Sequence, residues 1–176
     1  MGLVVVYGTT QESTIESPAG PPPRGSALRI AFVIDRLYPG GTELQLLSLI
    51  SNLDRSRIQP YLILLDGNDE LSRSLEPAEC PVLRLGVNRL KSVRAILQLH
   101  ALQHYLLREQ ISIVQLYSYR DSVAFGVVAG RLARVRHVIR VRNNMGHWMT
   151  KGDRLLFHLL NRGISNTITN SNAGRL

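Results

Sequence analysis

Cysteine, aromatic residues and long hydrophobic runs are scarce in this sequence. The single cysteine, Cys80, excludes an intramolecular disulfide framework and a multi-cysteine zinc site, and it fits a reducing compartment such as the cytoplasm. No apolar run approaches the roughly 18 to 20 residues that a membrane-spanning helix needs. The N-terminus has no basic segment followed by an apolar core, and Val6 stands where a myristoylation signal needs Ser or Thr. The sequence therefore predicts neither an export signal nor a lipid anchor.

Motifs of common enzyme sites are missing as well. The absence of G-x-G-x-x-G and of G-x-x-x-x-G-K-[ST] argues against ordinary NAD binding and against P-loop ATP hydrolysis. The absence of G-x-S-x-G argues against an α/β-hydrolase. His100 and His104 have helical spacing, but His-Ala-Leu-Gln-His lacks the Glu of a zinc protease motif. We therefore predict an exposed histidine pair, no metal site and no bound cofactor.

Positive charge dominates the 176 residues, because 21 Lys and Arg face 13 Asp and Glu and the net charge is +8. Such a surface attracts phosphate groups, whether they belong to a nucleotide, to an anionic membrane or to a nucleic acid. Charge alone does not distinguish these ligands.

The composition changes near residue 28. Residues 8–27 are rich in Pro, Gly, Ser and Thr and cannot bury enough apolar area to fold, so we predict that residues 1–27 form a disordered tail. Residues 28–176 alternate short apolar runs with segments of helical period, which is typical of β-α-β units. We predict one α/β domain, a Rossmann-like, doubly wound parallel sheet with helices on both faces.

The predicted strands cover residues 29–34, 61–65, 80–85, 111–117, 137–142 and 166–169, and the predicted helices cover 43–53, 89–109, 121–134 and 153–161. Pro81 favours an edge position for its strand, because proline cannot donate to the ladder. Thr42 and Gln45 have capping-box spacing, which predicts Thr42 as the N-cap of the first helix.

Candidate binding residues follow the predicted strands, because open parallel sheets bind ligands at the carboxyl ends of their strands. The Gly40-Gly41 pair precedes a helix N-terminus that favours an anion, or it forms a tight turn. Asp121 would bind ligand or cap a helix, and Arg140 would bind a phosphate or sugar or form a structural ion pair. The predicted cleft residues are Gly40, Gly41, Thr42, Tyr117, Tyr119, Arg120, Asp121, Arg140, Arg142 and Asn143.

The order of several short motifs resembles the N-terminal, acceptor-side domain of GT-B retaining glycosyltransferases of family 4. Ile30-Ala31-Phe32-Val33-Ile34, with Gly40-Gly41-Thr42-Glu43 downstream, is similar to the opening strand and the G-G-x-E step of that family. Similar segments follow in the order of the family at residues 52–55, 82–86, 113–115, 129–133, 138–143 and 170–173. The resemblance runs from Leu28 to the end of the sequence.

This resemblance implies that Gly40 and Gly41 lie against the donor phosphate and that Arg142 and Asn143 line the cleft between two domains. Many members of the family have a histidine in the stretch where this sequence has Gln115-Leu116-Tyr117-Ser118-Tyr119, so no catalytic residue is assigned. The family binds its nucleotide-sugar mainly through a second, C-terminal domain, whose motifs do not follow in this sequence. The chain is therefore expected to be a truncated domain.

The function implied is that of the acceptor-side half of a cytoplasmic hexosyltransferase in cell-envelope polysaccharide synthesis, inactive by itself. The expected partners are a nucleotide-sugar, a saccharide or lipid acceptor, and the missing donor-binding domain or a separate chain that supplies it. The basic edges of helices 89–109 and 151–162 indicate either peripheral contact with an anionic membrane or a solvated basic surface. The alternatives are a basic α/β module that binds nucleic acid or a regulatory partner, and a non-catalytic partner subunit. Nucleic acid is not the expected ligand.

Overall fold

The computed structural model describes residues 5–8, 27–87, 92–117, 120–142 and 150–169. Strands and helices alternate along most of this length. In chain order they are β1 (Val5–Gly8), β2 (Leu28–Ile34), α1 (Gly41–Ser51), β3 (Ile58–Leu64), α2 (Glu70–Ser74), β4 (Val82–Arg84), α3 (Val93–Arg108), β5 (Ile113–Tyr117), α4 (Arg120–Leu132), β6 (His137–Arg142), α5 (Lys151–Asn161) and β7 (Asn166–Thr169).

The strands form one sheet in the order β1-β7-β6-β5-β2-β3-β4. Six of these strands are parallel, and β1 pairs antiparallel with β7 at one edge. β4, which follows Pro81, lies at the other edge, as predicted. The strands at 137–142 and 166–169 have the predicted bounds.

Two hydrophobic cores cover the two faces of the sheet, because successive side chains of a strand point to opposite faces. Phe32 and Ile34 of β2 pack in one core with Leu46 and Ile50 of α1. The neighbouring side chains of β2 belong to the second core, which collects residues of α3, α4 and α5. Helices therefore cover both faces, and this confirms the predicted α/β, Rossmann-like, doubly wound sheet.

The predicted starts of all four helices are wrong. α3 begins at Val93 rather than at residue 89, and α5 begins at Lys151 rather than at residue 153. The starts of α1 and α4 also change the predicted caps. α1 begins at Gly41 with Gly40 as its N-cap, so Thr42 lies inside the first turn. Glu43 is then the third helical residue, and Gly40 has no side chain that could complete a capping box with it. α4 begins at Arg120, and Asp121 lies in its first turn rather than at the cap.

Two short elements lie where no strand or helix was predicted. α2 begins after Asp69, whose side chain accepts a hydrogen bond from the Ser72 N–H at 2.8 Å. β1 lies inside the predicted tail and pairs antiparallel with β7. The other residues before position 27 are outside the described part of the chain. No described helix is long and apolar enough to cross a membrane.

Candidate functional site

The ends of β2, β5 and β6 lie at one edge of the sheet. Val33 of β2 pairs in parallel with Leu116 of β5, and Leu116 pairs in parallel with Arg140 of β6. These neighbouring strands therefore finish nearly level, and the segments that follow them leave the sheet on the same side. We call this side, with the described segments that follow β2 and β5, the carboxyl edge. Ligands of open α/β sheets bind there.

Gly40 is required by close packing at the start of α1. A Cβ atom placed on Gly40 would lie 2.5 Å from Glu43 Oε2 and 2.8 Å from the Tyr38 ring. The φ of Gly40 is −108°, which any residue adopts, so packing rather than backbone strain selects glycine. A Cβ atom on Gly41 would meet nothing within 4 Å. The described residues thus leave open space beside the Gly41 backbone.

Glu43 places a buried carboxylate at the N-terminus of α1. The residue is 1% exposed, and Oε1 has no hydrogen-bond partner among the described residues. Burial raises the pKa of Glu43, and a hydrogen bond from its own backbone N–H acts in the opposite direction. A buried carboxylate without a cation or a second donor retains a proton more strongly than one in water.

Asp35 places a second carboxylate at the N-terminus of α4. It accepts hydrogen bonds from the Ser122 backbone N–H and, at 3.4 Å, from Ser122 Oγ. Ser122 Oγ also donates to the Tyr117 carbonyl at 2.8 Å. The pKa of Asp35 is raised to about 6. Burial is the larger cause, and the negative charge of Asp121 is the second. Asp35 is therefore a carboxyl group that titrates close to neutral pH.

Arg140 lies on the face of the sheet that α5 covers. Its guanidinium carbon is 4.3 Å from the centroid of the Phe157 ring, a cation–π distance. Burial, together with the charge of Arg142, lowers the pKa of Arg140 to about 10. Among the described residues no carboxylate forms a salt bridge with Arg140. The described contact is thus an aromatic one, and the ion pair considered from the sequence is not observed there.

The structure separates the predicted cleft residues into several environments. Tyr117, predicted as a cleft residue at the end of its strand, ends β5 and is buried against Phe32, with 6.4 Å between ring centroids. Its hydroxyl accepts a hydrogen bond from Gln115 Nε2 at 3.0 Å, and burial raises its pKa. Asp121 is exposed at the carboxyl edge. Tyr119 and Asn143 lie outside the described residues.

Other predictions concern metal and thiol chemistry. His100 and His104 are exposed on α3, as predicted. The described residues contain no group of His, Cys, Asp and Glu that could hold a metal ion. Cys80 is buried, and burial raises the pKa of its thiol to about 11, which disfavours the reactive thiolate.

The sequence interpretation missed the buried carboxylate of Glu43 and the half-buried carboxylate of Asp35 as site residues. Asp35 directly follows the apolar run of residues 30–34, which is a detectable signal for a side chain at the carboxyl edge. Glu43 stands three residues after Gly40, which is the capping-box spacing. The hydrogen-bond partner of Asp35, Ser122, is 87 residues away in sequence, so no local pattern links the two.

The sequence of this chain matches the family model of the glycosyl transferase 4-like domain over residues 40–173. The chain belongs to this family, and its fold is that of the N-terminal, acceptor-side domain of GT-B proteins. No curated protein matches the chain.

Solved structures with this fold include enzymes of more than one kind. A lipopolysaccharide outer core galactosyltransferase, WaaB, is 16% identical with a TM-score of 0.59, and the match covers 74% of this chain and 37% of WaaB. The O-GlcNAc transferase of Thermobaculum terrenum is 18% identical with a TM-score of 0.54, covering 80% of this chain and 28% of that one. The UDP-GlcNAc 2-epimerase of Methanocaldococcus jannaschii is 15% identical with a TM-score of 0.56, and the match covers 85% of this chain and 40% of the epimerase. The chain spans well under half of each of these proteins.

The pKa of Asp35 tests the geometry of the carboxyl edge. We expect Asp121→Asn to lower the pKa of Asp35 from its value of about 6, because the substitution removes a neighbouring negative charge. The pKa is measured by ¹³C NMR titration of the Asp35 carboxyl carbon. Asp54→Asn, at the exposed turn before β3, serves as the control and should leave it unchanged. An equal pKa of Asp35 in D121N and the parent protein would contradict the arrangement.

Proposed function

We propose that this chain forms the acceptor-side half of a glycosyltransferase that moves a hexosyl unit from a nucleotide-sugar to a saccharide or lipid acceptor. The observation that carries the proposal is the family match over residues 40–173 on a sheet whose carboxyl edge collects polar groups. Three structural neighbours are named for galactosyl transfer, O-GlcNAc transfer and UDP-GlcNAc epimerisation, all of which concern hexoses. Transfer rather than epimerisation follows from the family, since the fold is common to both kinds of enzyme.

Asp35 is the group that we assign to the acceptor. A carboxylate accepts hydrogen bonds from sugar hydroxyls, and the Ser122 N–H and Oγ fix the orientation of Asp35. Because Asp35 titrates near neutral pH, it can also hold a proton that leaves an acceptor hydroxyl.

We assign the donor diphosphate to the end of the β2–α1 loop that leads into α1. The backbone of Gly40, Gly41 and Thr42 lies at the positive end of α1, and open space adjoins Gly41. Arg142 ends β6 at the same edge and supplies a cation. These groups would stabilise the departing diphosphate, with retention at the anomeric carbon as the family resemblance implies.

Turnover requires the donor-binding half as well. We propose that the chain binds acceptor but transfers no sugar by itself, and that further sequence or a separate chain contributes the nucleotide-binding domain. A cytoplasmic site of action belongs to the same proposal, because nucleotide-sugars and reduced cysteine are both compatible with that compartment.

Contact with an anionic membrane is a further part of the proposal. α3 exposes Val93, Ile96 and Leu97, each at least 63% accessible, beside the exposed Arg94. Apolar side chains next to cations are typical of helices that lie on anionic bilayers, and the net charge of +8 adds attraction. Lipid acceptors are located at such surfaces.

Saccharide binding tests the acceptor assignment. Titration with galactose, glucose and N-acetylglucosamine, followed by amide NMR, should perturb Asp35 and Ser122 with at least one of these sugars. Asp35→Asn should weaken that binding about tenfold, because a hydrogen bond to a charged group contributes about 1.5 kcal/mol. Asp54→Asn is the matched control and should bind as the parent does. Perturbations confined to residues away from the carboxyl edge, or no binding of any of the three, would contradict the assignment.

Vesicle co-sedimentation tests the membrane proposal. We expect binding to vesicles of phosphatidylglycerol and phosphatidylcholine, and none to phosphatidylcholine alone. The I96S/L97S variant should bind about tenfold more weakly, since burial of two apolar side chains contributes more than about 1.4 kcal/mol. The L44S/L49S variant removes two exposed leucines of α1, on the other face of the sheet, and should bind normally. Absence of binding even at low salt, or equal losses in both variants, would contradict the proposal.

A further inference from the structure

The N-terminus of α1 already holds a negative group of this chain. The Glu43 carboxylate folds back over the start of the helix, with Oε2 against Gly40 and its own backbone N–H donating to it. The residue is 1% exposed. The position where the proposed function requires a phosphate is thus shared with a carboxylate.

The second carboxylate oxygen of Glu43 indicates that the hydrogen bonding of this group at the start of α1 is incomplete. Oε1 has no hydrogen-bond partner among the described residues, although it is fully buried. A carboxylate satisfied as a helix cap alone would leave no such oxygen, because burying an unpaired acceptor is costly. A proton on the carboxyl group removes that cost and also makes the group a donor. A phosphate oxygen bound at the same helix end could accept a hydrogen bond from this protonated carboxyl group.

We propose that Glu43 is a proton-linked competitor for the phosphate position at Gly40, Gly41 and Thr42. A phosphate binds there when Glu43 carries a proton, and an ionised Glu43 repels it. Binding of the anion therefore takes up a proton, and the affinity for the anion falls as the pH rises. The inference rests on the donor-phosphate role of this loop in the proposed function.

The neighbouring charges do not offset the charge of Glu43. Asp35 and Arg36 lie in the same loop, and the Leu37 N–H donates to Ser72 Oγ at 3.2 Å, which brings α2 against that loop. The charged residues in and just before α2 are Asp66, Asp69, Glu70 and Arg73. The raised pKa of Glu43 is caused by burial, opposed only by its own N–H, and none of these charges contributes. Tyr38, against Gly40, is the titratable side chain in contact with the same site.

Sulfate is a suitable probe, because it remains a dianion over the range in which carboxyl groups titrate. Binding to the 176-residue chain is measured at pH 5 and pH 8 through the amide signals of Gly40, Gly41 and Thr42. The ¹³C signal of the Glu43 carboxyl group gives its pKa with and without sulfate. We expect sulfate to raise the pKa of Glu43, and the affinity for sulfate to fall about tenfold for each unit of that rise.

Two variants separate the competitor from general charge effects. Glu43→Gln keeps the shape of a protonated Glu43. In the Asp35→Asn background, which removes the other group of this loop that titrates between pH 5 and pH 8, it should bind sulfate as strongly at pH 8 as at pH 5. Glu70→Gln removes an exposed acidic residue from the first turn of α2 and should retain the pH dependence of the parent. If E43Q does not fold, the sulfate-dependent pKa of Glu43 in the parent protein decides the question alone.

The outcomes distinguish this inference from the proposed function. Amide changes at Gly40 to Thr42 with an unchanged pKa of Glu43 would overturn the proton linkage and leave the phosphate role intact. No amide change at either pH, in the parent or in E43Q, would overturn the phosphate role and the linkage with it.

Discussion

The parallel pairing of β2 with β5 is the constraint on which the site depends. It brings the N-termini of α1 and α4 to one edge of the sheet, because each helix follows the carboxyl end of its strand. Each of these helix ends then meets a carboxylate of the same chain. Glu43 lies at α1, and Asp35, which leaves β2, reaches across to Ser122 of α4. Burial keeps both groups closer to their neutral forms than carboxylates in water.

This local arrangement differs from what the overall charge indicates. The net charge of +8 favours phosphate ligands over the whole surface. At the carboxyl edge, however, carboxylates occupy the helix ends, and Arg140 is directed to the Phe157 ring on the α5 face. Hydroxyl groups of a saccharide are suitable partners for such carboxylates, whereas a phosphate fits when a carboxyl group is protonated. The proposed acceptor saccharide and the proposed donor phosphate thus favour different protonation states of the carboxyl groups at the carboxyl edge.

The strands and the fold class were predictable because their signals are local and strong. The apolar runs around Ile30 and Val138 cover strands buried on both faces, and these were placed correctly. α2 has five residues, fewer than two helical turns, so periodicity could not reveal it. β1 could not be found either, because its pairing with β7 joins the two ends of the chain.

The candidate site was predictable only in part, since spacing leaves choices that packing decides. Thr42 with Gln45 has the capping-box residues, but the helix begins earlier, with Gly40 as an N-cap that has no side-chain hydrogen bond. Tyr117 stands at the boundary of strand and loop, and its burial against Phe32 places it in the core. Hydrogen bonding between Asp35 and Ser122 depends on the sheet order, which sequence spacing does not contain.

The most direct test of the raised pKa values of Asp35 and Glu43 is the free energy of unfolding of the double variant D35N/E43Q, compared with the parent between pH 4 and pH 8. A carboxyl group whose pKa is raised on folding stabilises the protein below its unfolded pKa, and that stability is lost as the pH rises through the folded pKa. The shift of Asp35 from 3.8 to about 6 alone predicts that the parent loses about 2 kcal/mol relative to the double variant over this range. Parallel stability curves for the two proteins would contradict the burial of the carboxylates at the carboxyl edge.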